Sequence, residues 1–113
     1  EVPMNVIYIL ADDLGYGDIG CYGQTKIHTP NIDKMAQEGM LFTQHYAGCT
    51  VSAPSRCSLM TGLHTGHSQI RGNKEIDPEG QQPMSADTYT LGKLMKSAGY
   101  TWWLSNSSLF SNG

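Results

Sequence analysis

The run Asn5-Val-Ile-Tyr-Ile-Leu-Ala11 carries no charge and is rich in β-branched and aromatic side chains. A run of this kind without alternation predicts a strand covered on both faces, as in a parallel sheet. It stops at Asp12-Asp-Leu-Gly-Tyr-Gly-Asp18, whose acids and glycines predict a loop at the carboxyl end of that strand. In open α/β sheets, ligands bind at such ends.

The segment after the loop predicts a helix over Thr29–Gly39. Thr29 can cap it, Pro30 suits its first position, and Gly39 can close it with positive φ. Ile32, Met35 and Ala36 fall at the spacing of a buried stripe. Met40 to Tyr46 reads as a second strand, completing a βαβ unit and an α/β fold class. A second helix is expected over Pro54–Gly62, a third over Thr90–Gly99, and a further strand over Tyr100–Leu104. Between them, residues 63–86 are polar and punctuated by glycine and proline. That stretch is too long for a passive connector.

Composition removes several function classes. The formal net charge is −3, so no basic footprint suggests nucleic acid or an anionic membrane. No apolar run approaches the ~20 residues of a bilayer span. The first residues lack the basic and apolar regions of a signal peptide, which predicts either a cytosolic protein or a removed signal. Three cysteines, Cys21, Cys49 and Cys57, are an odd number and argue against a closed disulfide framework. They read as buried thiols, and Met35, Met40, Met60 and Met95 as core fillers. At 113 residues the chain suggests one domain, yet its 15% charged residues fall below the roughly one quarter usual for globular proteins. A surface meant to be covered needs fewer charges.

Two groups of residues could carry chemistry. Asp12 and Asp13 would share an ion only if the backbone leaves the strand there, and Leu14-Gly15 is where a bend is easiest. A divalent cation would keep both carboxylates ionised; on its own the pair also reads as a solvated acidic turn. Ser52-Ala-Pro-Ser-Arg56 enters a helix, where amide groups and the dipole favour an anion and the Arg56 fork can reach the same space. Taken alone it also reads as a helix capped by Ser52 with Arg56 solvated. His64 and His67 would form a metal pair only on a helix, which their glycine neighbours oppose. Arg71 and Asn73 read as pocket-lining residues or as ordinary loop polarity.

The segment Ser52-Ala-Pro-Ser-Arg-Cys-Ser-Leu-Met-Thr-Gly62 resembles the signature of the formylglycine-dependent (type I) sulfatases, in which a Cys or Ser followed by x-Pro-x-Arg is modified. The flanking segments agree in order: residues 5–18 resemble the family's opening strand and metal loop, His28 to Asp33 its first helix start, and Leu63 to Asn73 the stretch after the signature. The resemblance implies an alkaline-phosphatase-like sulfatase core of which this chain holds the amino-terminal βαβ portion. Residues 1–101 would be the first part of the catalytic domain and 102–113 a divergent, truncated end. It implies that Asp12, Asp13 and the modified Ser52 bind Ca²⁺ (or Mg²⁺), hard oxygen ligands suiting both better than zinc. Ser52 would be the formylglycine precursor and Arg56 would orient and stabilise the hydrated aldehyde. An unmodified serine is a poor nucleophile that would leave a stable sulfate ester behind. A hydrated aldehyde offers one hydroxyl for attack on sulfur and a second whose deprotonation expels sulfate.

The implied function is hydrolysis of sulfate monoesters on a carbohydrate or aryl substrate, after action of a formylglycine-generating maturase. The implied localisation is periplasmic or secreted. Position 52 is Ser where many members carry Cys, so it is either a natural serine-type site or an engineered change. After Thr101 the family continues towards a catalytic lysine, where this chain reads Trp102-Trp-Leu-Ser105. The expectation is therefore a fragment with little activity alone. Two other readings stand beside it: a phosphate or phosphonate ester hydrolase of the same superfamily, and a non-catalytic truncated product that self-associates through exposed edges.

Overall fold

The computed structural model describes residues 4–78 and 80–105. The chain forms two compact units, Glu1–His45 and Tyr46–Gly113.

In the first unit, two short 3₁₀ turns, Tyr16–Asp18 and Gly20–Tyr22, precede helix α1, Pro30–Glu38. Proline stands in the first turn of α1 as expected, and Thr29 is its N-cap without a side-chain bond to the helix amides. The Thr29 hydroxyl is used elsewhere. It accepts the Gly20 N–H at 2.8 Å and donates to Asp33 Oδ1 at 3.0 Å. Asp33 Oδ1 also accepts the Cys21 N–H at 2.7 Å. The second 3₁₀ turn is thus fastened to the start of α1, and a side chain at Gly20 would overlap the Asp33 carboxylate. Tyr22 stacks on Tyr16 with ring centroids 4.3 Å apart and donates its hydroxyl proton to the Phe42 carbonyl at 2.7 Å.

Four expectations fail in this unit. Residues 5–11 form no strand, and Ile7 is 88% and Ile9 81% exposed. Residues 40–46 form no strand either. The stripe on α1 is not buried: Ile32 is 45% and Met35 68% exposed, and Met40 is 77% exposed. Gly39 ends α1 at φ −120°, ψ −138° rather than in the left-handed region. The first three share one physical cause. A strand and an apolar stripe become stable through partners, and among the described residues no neighbouring strand covers this run.

The second unit holds helix α2, Ser52–Thr61, the two-stranded antiparallel pair β1, Glu75–Ile76, and β2, Gly80–Gln81, and helix α3, Leu91–Ser97. Helix α2 starts two residues before the expected Pro54 and ends on Gly62, whose φ of 70° suits glycine. Thr90 caps α3 by accepting the Lys93 N–H at 3.4 Å. The small core includes one side of α2, where Pro54, Cys57 and Ser58 are buried; Ser68, Ile70 and Gly92 are the other buried residues among those described. The Cys57 thiol lies 3.6 Å from Met84 Sδ. Cys57 is the buried thiol expected, whereas Cys21 and Cys49 are half-buried. Gln69 ties in the following loop, donating to Thr88 Oγ1 at 2.7 Å and accepting the Ser85 N–H at 2.9 Å.

The α/β expectation is therefore only partly realised here, as three α-helices and one short antiparallel pair among the described residues. Tyr100 to Leu104 is not a strand; Trp102 instead lays its indole against Gly92 of α3. Most of the expected divergent end, residues 106–113, lies outside the described residues. Because a methyl group at position 92 would overlap the Trp102 ring, Gly92→Ala is expected to cost about 1–3 kcal/mol. Gly72→Ala, where a Cβ meets nothing within 4 Å, should change stability by less than ~0.5 kcal/mol. Urea denaturation followed by tryptophan fluorescence distinguishes the two.

Candidate active site

Asp12 and Asp13 lie in a bend in the first unit. The turn falls one residue earlier than the expected Leu14-Gly15: Asp13 itself has φ 56°, in the left-handed region. Aspartate tolerates that region better than most residues, because its short polar side chain can bond locally. The bend removes the strand alternation that would send the two carboxylates to opposite faces. Asp18, the third acid of the loop, accepts the Gly15 N–H at 2.7 Å and so closes the following turn. An open depression of about 440 Å³ lies against α1, lined by Gly20, Cys21, Gln24, Asp33, Leu41 and residues of the helix, and it does not include the two aspartates.

Ser52 is the first residue of α2 and is half-buried; Arg56, one turn later, is exposed. That i, i+4 spacing puts both side chains on one helix face. Ser52 is not the cap expected from the pentapeptide alone. The N-cap is Val51, at φ −113° and ψ 152°, with no side-chain bond to the helix. The bond that a capping side chain would make comes from Asn73, whose Oδ1 accepts the Ala53 N–H at 3.1 Å. Sequence reading left Asn73 as a pocket or loop residue, and no local pattern points to this role. Arg71 is exposed, and its Nε donates to the Ser68 carbonyl at 3.3 Å. Ser58, deeper in α2, has a buried hydroxyl with no hydrogen-bond partner, and Gly48 packs on it.

The structure thus brings Asp12 beside Asp13 in the first unit and Ser52 beside Arg56 in the second. His64 and His67 lie in one turn with ring centroids 4.6 Å apart. His64 Nδ1 accepts the Gly66 N–H at 3.0 Å, which in the neutral ring leaves the proton on Nε2 and disfavours a metal there. His45 lies against Phe42 at 5.8 Å, and His28 is exposed. Among the described residues no group of three or more His, Cys, Asp or Glu side chains comes together. By donor chemistry the two aspartates fit part of the shell of a hard divalent cation and suit it better than zinc.

The family model described as Sulfatase matches residues 4–113. An N-acetylgalactosamine-6-O-sulfatase of Bacteroides thetaiotaomicron is 45% identical over 98 residues, covering 85% of this chain and 18% of that protein. Human steryl-sulfatase is 40% identical over 101 residues, covering 86% of this chain and 17% of that protein. A pig N-acetylgalactosamine-6-sulfatase is 38% identical over 104 residues, covering 87% of this chain and 20% of that protein.

The chain belongs to the sulfatase family. It spans about a fifth of the length of the relatives it matches. Membership implies an alkaline-phosphatase-like α/β fold, and the family is one of sulfuric ester hydrolases that use formylglycine and a divalent metal. No described helix is long and apolar enough to cross a membrane.

The positive φ at Asp13 gives a direct test of the bend. Asp13→Gly should leave stability unchanged or raise it by up to about 1 kcal/mol, whereas Asp13→Val should lower it by about 1–2 kcal/mol. Denaturant midpoints of the three chains measure this.

Proposed function

We propose that this chain is the nucleophile-bearing and metal-binding part of an enzyme that hydrolyses sulfate monoesters, with Ser52 as the formylglycine precursor. The observation that carries the reading is the placement of Ser52 at the first position of α2 with Arg56 one turn on, within a Ser-x-Pro-x-Arg sequence and a sulfatase-family match. Formylglycine, once formed, would supply a hydrated aldehyde as nucleophile where an unmodified serine is a poor one. Arg56 contributes a permanent charge and a planar donor fork, which hold the hydrated side chain and the incoming sulfate oxygens in register. The amino end of α2 adds the positive end of the helix dipole to the same space.

Asp12 and Asp13 would hold Ca²⁺, or Mg²⁺ in its place. That ion supplies charge neutralisation for the sulfate oxygens. Calorimetric titration of the 113-residue chain with Ca²⁺ should show binding that Asp12→Asn and Asp13→Asn each weaken at least ~10-fold. Zn²⁺ binding would not depend on these residues. Calcium heats that are identical in all three chains would overturn the assignment.

The proposed substrate class is a sulfated carbohydrate or an aryl sulfate, supported by the sugar sulfatase name of the 45% identical relative. The working enzyme belongs outside the cytoplasm. By itself the chain, with about a fifth of a relative's length, is expected to turn over neither aryl sulfate nor aryl phosphate. Co-expression with a formylglycine-generating maturase should yield a Ser52 peptide lighter by two hydrogens, which peptide mass spectrometry detects and Ser52→Ala abolishes. An unmodified Ser52 under conditions that convert a serine-type control sulfatase would overturn the precursor role.

The uncovered run from Asn5 to Ala11, with Ile7 88% exposed, supports self-association of the isolated chain. Size-exclusion chromatography should show oligomers that Ile9→Lys reduces, because a charge at an exposed strand-forming segment opposes edge pairing.

A further inference from the structure

Helix α2 has an unusual supply of capping groups. Of the first amides of any helix, several have no partner within the helix and need one from outside. Here Val51 occupies the N-cap and offers no side-chain oxygen, and Pro54 has no N–H. The Ser55 N–H already reaches the Val51 carbonyl at 3.2 Å. The Ala53 N–H is among the amides that the local sequence leaves to the rest of the fold, and Asn73 Oδ1 accepts it at 3.1 Å from twenty residues away.

The Ala53 N–H belongs to the same rigid peptide plane as the Ser52 carbonyl. A hydrogen bond that fixes this plane fixes ψ of Ser52, and with it the direction in which the Ser52 side chain leaves the helix. Asn73 is itself held on both sides. Before it, Ile70 is 7% exposed and its carbonyl accepts the buried Ser68 hydroxyl at 2.9 Å. After it, the Lys74 carbonyl accepts the Gln82 N–H at 3.0 Å, tying the chain to the β1–β2 pair.

We infer that Asn73 is the positioning residue of Ser52: its side-chain oxygen caps α2 from a distant, separately anchored loop and orients the residue on which the reaction depends. The inference rests on the reading of Ser52 as the reacting residue for its functional meaning, and on geometry alone for the contact. The anchored loop transmits its position to the helix start through one carboxamide, so the effect should be confined to the first turn of α2.

Nuclear magnetic resonance of the full 113-residue chain tests this with four proteins: wild type, Asn73→Ala, Asn73→Asp and Thr90→Ala. The Thr90 substitution removes the cap of α3 and controls for general destabilisation. In Asn73→Ala, exchange of the Ala53 amide should speed up about three- to thirty-fold, the range expected for one lost cap. The Ser52 Hα–Hβ couplings should move towards rotamer-averaged values. Asn73→Asp keeps the accepting oxygen and should restore both readouts, while Thr90→Ala should leave both at wild-type values. The inference is overturned if Asn73→Ala leaves both readouts unchanged, if Thr90→Ala changes them equally, or if Asn73→Asp fails to rescue. Should Asn73→Ala fail to fold, the wild-type chain still decides: a through-hydrogen-bond coupling between the Ala53 nitrogen and the Asn73 side-chain carbonyl carbon is required, and its absence overturns the contact. None of these readouts needs Ser52 to be converted or sulfate to be cleaved, so a failure here is distinct from a failure of the sulfatase reading.

Discussion

Helix α2 cannot complete its own amino terminus, and the second unit is organised around that deficiency. Val51 has no polar side chain to turn back, and Pro54 removes a donor from the first turn. The Ala53 N–H is taken by Asn73, which must therefore be delivered to the helix start by the loop that carries it. That loop is held in turn by the bond from the Ser68 hydroxyl to the Ile70 carbonyl, both residues being buried. Removing a local cap in this way couples the candidate reacting residue to a segment far along the chain. A serine or aspartate at position 51 would satisfy the same amide locally and loosen that coupling.

The first unit is held by polar contacts, without a buried core. No described residue of it is buried. Its order comes from Thr29 and Asp33, two side chains on successive turns of one helix end that take the Gly20 and Cys21 amides. Upstream of this clamp, the acidic bend stores a left-handed aspartate at the position that the family reading assigns to metal binding. Backbone strain of this kind concentrates at sites where side-chain direction matters more than local stability. The apolar residues before the bend are left in water, which is consistent with a chain spanning about a fifth of its relatives' length.

The three helices were legible because their signals are local. Proline in the first turn of α1 and glycine after α2 act within a few residues of themselves and stand where expected, and Thr90, read as the first residue of α3, acts as locally by capping it. The strands were not, although Asn5 to Ala11 has the composition of one. Propensity fills a strand with suitable side chains, but the hydrogen bonds that define it belong to a neighbour. The same reasoning explains the error over Met35 and Met40, read as core fillers and found exposed. A stripe is buried only if something lies across it.

Family and chemistry were carried by short ordered motifs: the acid pair after an apolar run, and Ser-x-Pro-x-Arg opening a helix. Their meaning survives in a linear string, because residue type and spacing decide which groups can hold a hard cation or face an oxyanion. Folding added what spacing cannot encode. It put the bend at Asp13 rather than at the following glycine, and it aimed Ser52 through a carboxamide twenty residues away. Local sequence settles which atoms are available; the direction in which they point depends on hydrogen bonds between residues far apart in the chain, and these exist only once the chain has closed on itself.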